Sequence, residues 1–147
     1  MTTQGRPVYK QLEHTADLGL LVRAPTAELL FERMAAALFD VMLENVEFVD
    51  PERAEVEVSV EAPDREALLV AWLNELIGLA ASRGLVFSRF EITSLEVTRL
   101  EARAGGEPLD AKRHRYETEV KAATVATSGG SRLDTPGAVE LSEQLHV

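Results

Sequence analysis

The residues Glu55-Val56-Glu57-Val58-Ser59-Val60-Glu61, followed at once by Ala62-Pro63-Asp64 and a helical pattern from Arg65 to Arg83, decide the class of fold. The first seven alternate strictly, with valine on one side and acid or serine on the other. They predict a strand with one face on a core and the other in water. Pro63-Asp64 ends that strand, and Asp64 is placed to cap the helix that follows. Within the helix Leu69, Trp72, Leu73, Leu76, Ile77 and Ala80 fall along one side. Such a stripe must be buried for the helix to be stable, which makes core packing the expected role of Trp72 and its neighbours. Gly84 supplies the left-handed residue on which helices commonly end.

Upstream, Leu30, Met34, Ala37, Leu38 and Val41 lay a second stripe along a helix reaching about Leu43, with Thr26 as its N-cap and Glu28 at the positive end of its dipole. Leu18 to Ala24 reads as a strand apolar enough to be buried on both faces, and Pro7 to Glu13 as a short first strand. Downstream, Val86 to Ile92 and Leu95 to Arg103 are expected to be extended. Ala104-Gly105-Gly106-Glu107 predicts a hairpin turn, with a longer loop through Pro108 to Arg113 as the alternative. Tyr116 to Thr124 returns to β character, Ser128-Gly129-Gly130 marks a turn, and Ala138 to Val147 forms a last strand whose alternation breaks at Glu143. Two strands, a helix, a strand, a helix and then four or five strands describe an α+β fold. The expected architecture is a mostly antiparallel sheet with two main helices on one face, in a single domain spanning residues 1–147.

Fifteen basic and twenty-five acidic residues give a net charge of −10. A surface this acidic repels phosphate backbones, so contact with RNA is expected only indirectly, through a basic protein that holds the RNA. There are no cysteines, which removes disulfides, thiolate metal sites and a cysteine nucleophile together, and fits a reducing compartment. Met1 to Lys10 lacks the apolar run of a signal peptide, and no stretch is long and uncharged enough to span a bilayer. The expectation is a cytoplasmic protein without membrane contact. A phosphate-binding glycine loop, a Gly-x-Ser-x-Gly elbow and a His-Glu-x-x-His helix are all absent from the sequence.

Chemistry-bearing residues gather near Glu13-His14-Thr15-Ala16-Asp17, where two acids, an imidazole and a hydroxyl lie within five residues. A turn stabilised by Asp17, with His14 in a structural hydrogen bond, is the simplest use of those residues. His114 sits in the basic run Lys112-Arg113-His114-Arg115, which reads as a solvated loop or as a docking point for an acidic partner. His146 gains meaning if the last strand returns beside the first. Asp17, His146 and the carboxylate of Val147 would then converge on a divalent ion, the oxygens suiting Ca²⁺ or Mg²⁺ and the nitrogen favouring Zn²⁺ or Mn²⁺. Asn74 and Glu75 lie on or near the polar flank of their helix, where they could reach a site. Asp40 stands at the unfavourable end of its helix dipole, a hint of some other use.

Taken together, Glu13-His14-Thr15-Ala16-Asp17-Leu18-Gly19, Leu30-Phe31-Glu32 with Ala36 to Met42, Leu68-Leu69-Val70 with Trp72-Leu73-Asn74-Glu75-Leu76, and His114 with Thr118-Glu119-Val120-Lys121-Ala122 resemble the archease family. The motifs occur in the family's order from about Glu13 to Thr124. The resemblance implies an α+β sheet fold with a small inserted unit. It also implies a protein activator of an RtcB-type GTP-dependent RNA ligase in tRNA splicing and RNA repair, promoting guanylylation and multiple turnover, with no settled reaction of its own. It further implies a calcium site held by Asp17 and by the last two residues, His146 and Val147. The family usually has Asp where this chain has His146, so a unit of negative charge is lost and the preference tilts from Ca²⁺ toward Zn²⁺ or Mn²⁺. Ala71 stands where an acid often precedes the Trp, and Ala123-Thr124-Val125-Ala126 replaces the family's Val-Thr-Tyr-His. These departures leave open a metal-free member that acts as a protein-binding or chaperone-like module.

Overall fold

The computed structural model describes residues 9–13, 18–44, 46–116, 123–126 and 141–146. In chain order the elements are β1 (Lys10–Glu13), β2 (Leu18–Ala24), α1 (Ala27–Met42), β3 (Ala54–Glu61), α2 (Arg65–Arg83), β4 (Leu85–Leu95), β5 (Arg99–Pro108), β6 (Thr124–Ala126) and β7 (Leu141–His146), with a 3-10 turn at Val46–Phe48. Pro7, Val8, most of the segment expected between Tyr116 and Thr124, the Ser128-Gly129-Gly130 turn, and residues 138–140 and 147 of the expected last strand lie outside the described residues.

The α+β class holds, and every strand pairing is antiparallel. The strands are divided between two sheets, of order β1-β2-β7-β6 and β3-β5-β4. The second sheet is inserted in the chain between the two halves of the first. Its helix, α2, packs on all three of its strands and also on β6, while α1 packs on β2 and β7 of one sheet and on β4 of the other. One hydrophobic core therefore serves both sheets.

Local signals act where they were read. The Thr26 side chain accepts the Leu29 N–H at 3.2 Å, the Asp64 side chain accepts that of Ala67 at 2.8 Å, and Gly84 closes α2 at φ 62°. Val56 and Val58 are buried while Glu55, Glu57, Ser59 and Glu61 meet solvent. Long-range packing alters two expectations. Leu20, Val22 and Ala24 of β2 are buried but Arg23 is exposed, so β2 buries one face and not two, because α1 covers only that side. In α1 the burial spreads well beyond one stripe, taking in Phe31, Ala35, Phe39 and Met42, because this helix meets both sheets and α2. Phe39 and Phe87 meet edge-on at 5.6 Å, Trp72 stands edge-on to Phe90 at 6.3 Å, and the Trp72 indole N–H donates to the Phe31 carbonyl at 3.0 Å. These contacts fasten α1, α2 and β4 to one another.

The expected turn at Ala104-Gly105-Gly106-Glu107 is instead the interior of β5, the central strand of its sheet. The hairpin turn lies earlier, at residues 96–98, where the Glu96 N–H donates to the Arg99 carbonyl at 2.8 Å. The two glycines serve close approach. Opposite them β4 carries a bulge at Ser88, which shifts the register from Phe87↔Gly106 to Arg89↔Gly105. A methyl at position 106 would overlap the Val86 carbonyl and stand 2.8 Å from the Phe87 Cα, and one at 105 would overlap the Pro51 carbonyl.

Asn74 is committed to structure. Its amide donates to the Ala123 carbonyl at 3.0 Å and accepts the Ala123 N–H at 2.7 Å, mimicking a strand neighbour for the buried residue that leads into β6. Glu75 beside it is exposed. Asn74→Ala is expected to cost about 2 kcal/mol, since it leaves a buried backbone pair without partners. The midpoint of urea unfolding checks this, and an unchanged midpoint would show that the pairing adds nothing.

Candidate functional site

Of the residues expected to hold a metal, Asp17 and Val147 lie outside the described residues, as does His14. His146 ends β7, and its backbone stands opposite Gly19 of β2 on one side and Thr124 of β6 on the other. The last strand thus returns beside the second strand of the sequence and not the first, which is left at the sheet edge. Asp17 immediately precedes β2, so a ligand set drawn from both strand ends requires β2 and β7 to be neighbours with those ends in register. The Gly19↔His146 pairing makes β2 and β7 neighbours at those ends. Among the described residues no group of three or more His, Asp or Glu side chains is arranged to hold a metal ion. Nor is any helix among them long and apolar enough to cross a membrane.

Asp40, the acid with no local reason to stand late in α1, is buried and accepts the Tyr9 hydroxyl at 2.8 Å. It ties the entry to β1 onto the helix. Glu32 reaches from α1 to β4 and accepts the Ile92 N–H at 2.9 Å. Burial pushes its carboxyl above the ordinary glutamate range, against the pull of that hydrogen bond.

The densest polar cluster among the described residues carries no local sequence signal. Glu107, in the supposed turn, is fully buried near the end of β5. Its carboxylate accepts two hydrogen bonds from the Arg113 guanidinium, at 3.0 and 3.2 Å, and the Asp50 N–H at 3.3 Å, with Arg53 at 3.6 Å. The His114 ring is tucked under the loop, with its side chain 5% exposed, rather than solvated as the basic run suggested. The Asp110 N–H donates to its Nδ1 at 2.8 Å, which leaves the proton on Nε2, and Nε2–H donates to Glu107 at 2.8 Å. Burial is the largest influence on Glu107 and would raise its carboxyl. The donors from His114, Arg113 and Asp50, with the Arg113 charge, outweigh it and hold the group below the usual glutamate range. By contrast, the outer face of the three-stranded sheet is a mosaic of paired exposed charges. Arg99–Glu101 at 2.8 Å, Arg89–Glu55 at 3.3 Å and Arg103–Glu91 at 3.6 Å give it no single-signed field.

Residues 9–128 match the archease protein family (MTH1598/TM1083). The chain belongs to the archease family. It is 42% identical over 120 residues to protein archease of Thermococcus kodakarensis, covering 79% of this chain and 82% of that one. It is 39% identical over 128 residues to protein archease of Methanosarcina mazei, covering 84% and 86%. In fold it is similar to the solution structure of Methanobacterium thermoautotrophicum protein 1598, with a TM-score of 0.69 at 26% identity over 95% of this chain and 96% of that one. A crystal structure from Thermotoga maritima, of an archease described as a possible chaperone, shares the fold with a TM-score of 0.54 at 22% identity over 92% and 93%.

Two of the departures from the archease pattern fall in described elements. Val125 and Ala126 lie in β6, the edge strand paired to β7 opposite Leu145 and Gln144. Ala71 is half-buried in α2. What the archease motifs on α1 and α2 do in the described residues is packing and bracing: Phe31, Phe39, Trp72 and Asn74 all make contacts that fasten one element to another.

Proposed function

We propose that this chain is a protein cofactor of an RtcB-type RNA ligase, promoting its guanylylation and repeated turnover in tRNA splicing and RNA repair, and that Asp17, His146 and Val147 hold a divalent ion. The observation that carries the ligase reading is the family match over most of the chain. The net charge of −10 supports docking onto a protein whose RNA channel must be basic. The register of β2 against β7 supports the ion. An ion there would tie the start of β2 to the end of β7 by charge, with His146 supplying a neutral nitrogen in place of the usual carboxylate. A second reading, a metal-free chaperone-like module, is favoured by that His146.

The two readings separate in one pair of measurements. Asp17→Ala is expected to lose the heat of Ca²⁺, Mn²⁺ or Zn²⁺ binding in calorimetric titration and to lose stimulation of ligase guanylylation. Equal stimulation by wild type and variant would remove the role given to Asp17. Silence from both in the titration would favour the second reading.

A further inference from the structure

The surface apolar residues are unevenly distributed. Four large ones are exposed among the described residues: Phe48 at 66%, Val97 at 52%, and Leu109 and Tyr116 at 41% each. All but Val97 come from two connections, residues 43–50 and 107–116, that are fastened to each other. Leu43 bridges Tyr116, the Glu44 N–H donates to the Arg115 carbonyl at 3.0 Å, and the Asp50 N–H reaches Glu107 at 3.3 Å. Arg113 and His114 lock the second connection onto the same buried carboxylate. A fully buried, four-partner glutamate under a surface loop fixes the shape of that loop, and a fixed loop loses little freedom when something binds to it.

Phe48 is the most exposed of the three and stands in an acidic segment. Glu44, Glu47, Asp50 and Glu52 flank it in sequence, with no basic residue between Asp40 and Arg53. The neighbouring connection brings Lys112, Arg113 and Arg115, of which Arg113 is engaged by Glu107 and Arg115 lies 3.8 Å from Glu44. One carboxylate oxygen of Glu47 is out of solvent with no hydrogen-bond partner among the described residues, a cost that an arriving cation can relieve. The place of this surface follows from the topology. Pro25 and Thr26 alone separate β2 from α1, so the helix runs back along the strand. Seven strand residues span about 23 Å and sixteen helical residues about 24 Å. The end of α1, and the connection that leaves it, therefore return to the level at which β2 begins and β7 ends.

We infer that the surface formed by residues 43–50 and 107–116 docks a basic protein face, with Phe48 as its apolar anchor. The inference rests on the ligase reading above and names the surface through which the ligase is met. An aromatic beside charged residues is the usual composition of an interface hot spot. Residues 43–50 and 107–116 together carry five acids and three bases. The net charge of −2, concentrated beside Phe48, favours a positive partner over the acidic one that Lys112 to Arg115 would suit alone.

Binding of the purified RtcB-type ligase from the same organism, followed by biolayer interferometry at low and high salt beside the guanylylation assay, tests the assignment. Phe48→Ala is expected to weaken binding about tenfold with an unchanged melting temperature. The pair Glu47→Lys with Glu52→Lys is expected to weaken binding at low salt and flatten its salt dependence. Val97→Ala, at the opposite end of β5, should bind like wild type. If wild type binds and stimulates and Phe48→Ala does the same, the docking surface is wrong and the ligase reading stands. A loss from Val97→Ala as large as that from Phe48→Ala overturns the docking surface as well. If wild type neither binds nor stimulates, the ligase reading falls and takes this inference with it.

Discussion

Alanine at position 106 should destabilise the protein by about 3–4 kcal/mol and lower its melting temperature by roughly 10 °C. The added methyl has nowhere to go. Its obstacles are the Val86 carbonyl and the Phe87 Cα, both backbone, and backbone in the middle of a paired sheet moves only by breaking the ladder. The φ at Gly106 is not in the left-handed region, so the cost is one of space and not of dihedral strain. Gly78→Ala provides the contrast, because a methyl there meets nothing within 4 Å. On an exposed helical position that change should stabilise by up to about 1 kcal/mol. Thermal melts of the two variants check both signs, and equal melting temperatures would refute the close-approach account of Gly106.

Glu107→Gln should cost about 3 kcal/mol at neutral pH, because an amide keeps the size but leaves Arg113 and the His114 N–H facing a group that cannot satisfy both as well. Its dependence on pH follows from the direction of the shift. Glu107 is held below the ordinary value of 4.5, so its contribution is complete above that pH and is lost as the pH falls through the lowered value. The gap between wild type and variant should therefore be constant near neutrality and close in acid. Glu32 is shifted the other way, losing stabilisation as the pH rises through its raised value, but it is common to both proteins and cancels in the difference. Urea unfolding at a series of pH values measures the gap. A gap that widens in acid would contradict the assignment of the donors.

The features legible in the sequence are those set within a few residues. Thr26, Asp64 and Gly84 mark their helix ends by local hydrogen bonding or dihedral preference, and the alternation of Glu55 to Glu61 fixes which face of β3 is wet. What the sequence hides depends on partners far along the chain. Gly105-Gly106 has the composition of a turn, and only the nearness of Pro51 and Val86 shows that it is a close approach. The run Lys112 to Arg115 looks uniformly solvated until Glu107 draws Arg113 and His114 back onto itself. The division into two sheets is equally invisible, since β2 and β7 are adjacent in space but lie at opposite ends of the sequence. At the candidate metal site the residues named from the family motif are Asp17, His146 and Val147. The described residues contribute to it the pairing of the His146 backbone with Gly19.

That pairing also bears on how the molecule is assembled as it is synthesised. β2 and β7 are separated by more than a hundred residues, so β2 emerges from the ribosome long before its interior partner exists. The β4–β5 hairpin, closed by a three-residue turn, can form early with α2 against it, whereas the sheet of β1, β2, β7 and β6 must wait. In the interval the β1–β2 ribbon carries an open edge. Of the two sheets, the one that brings His146 to Gly19 is therefore the last to close.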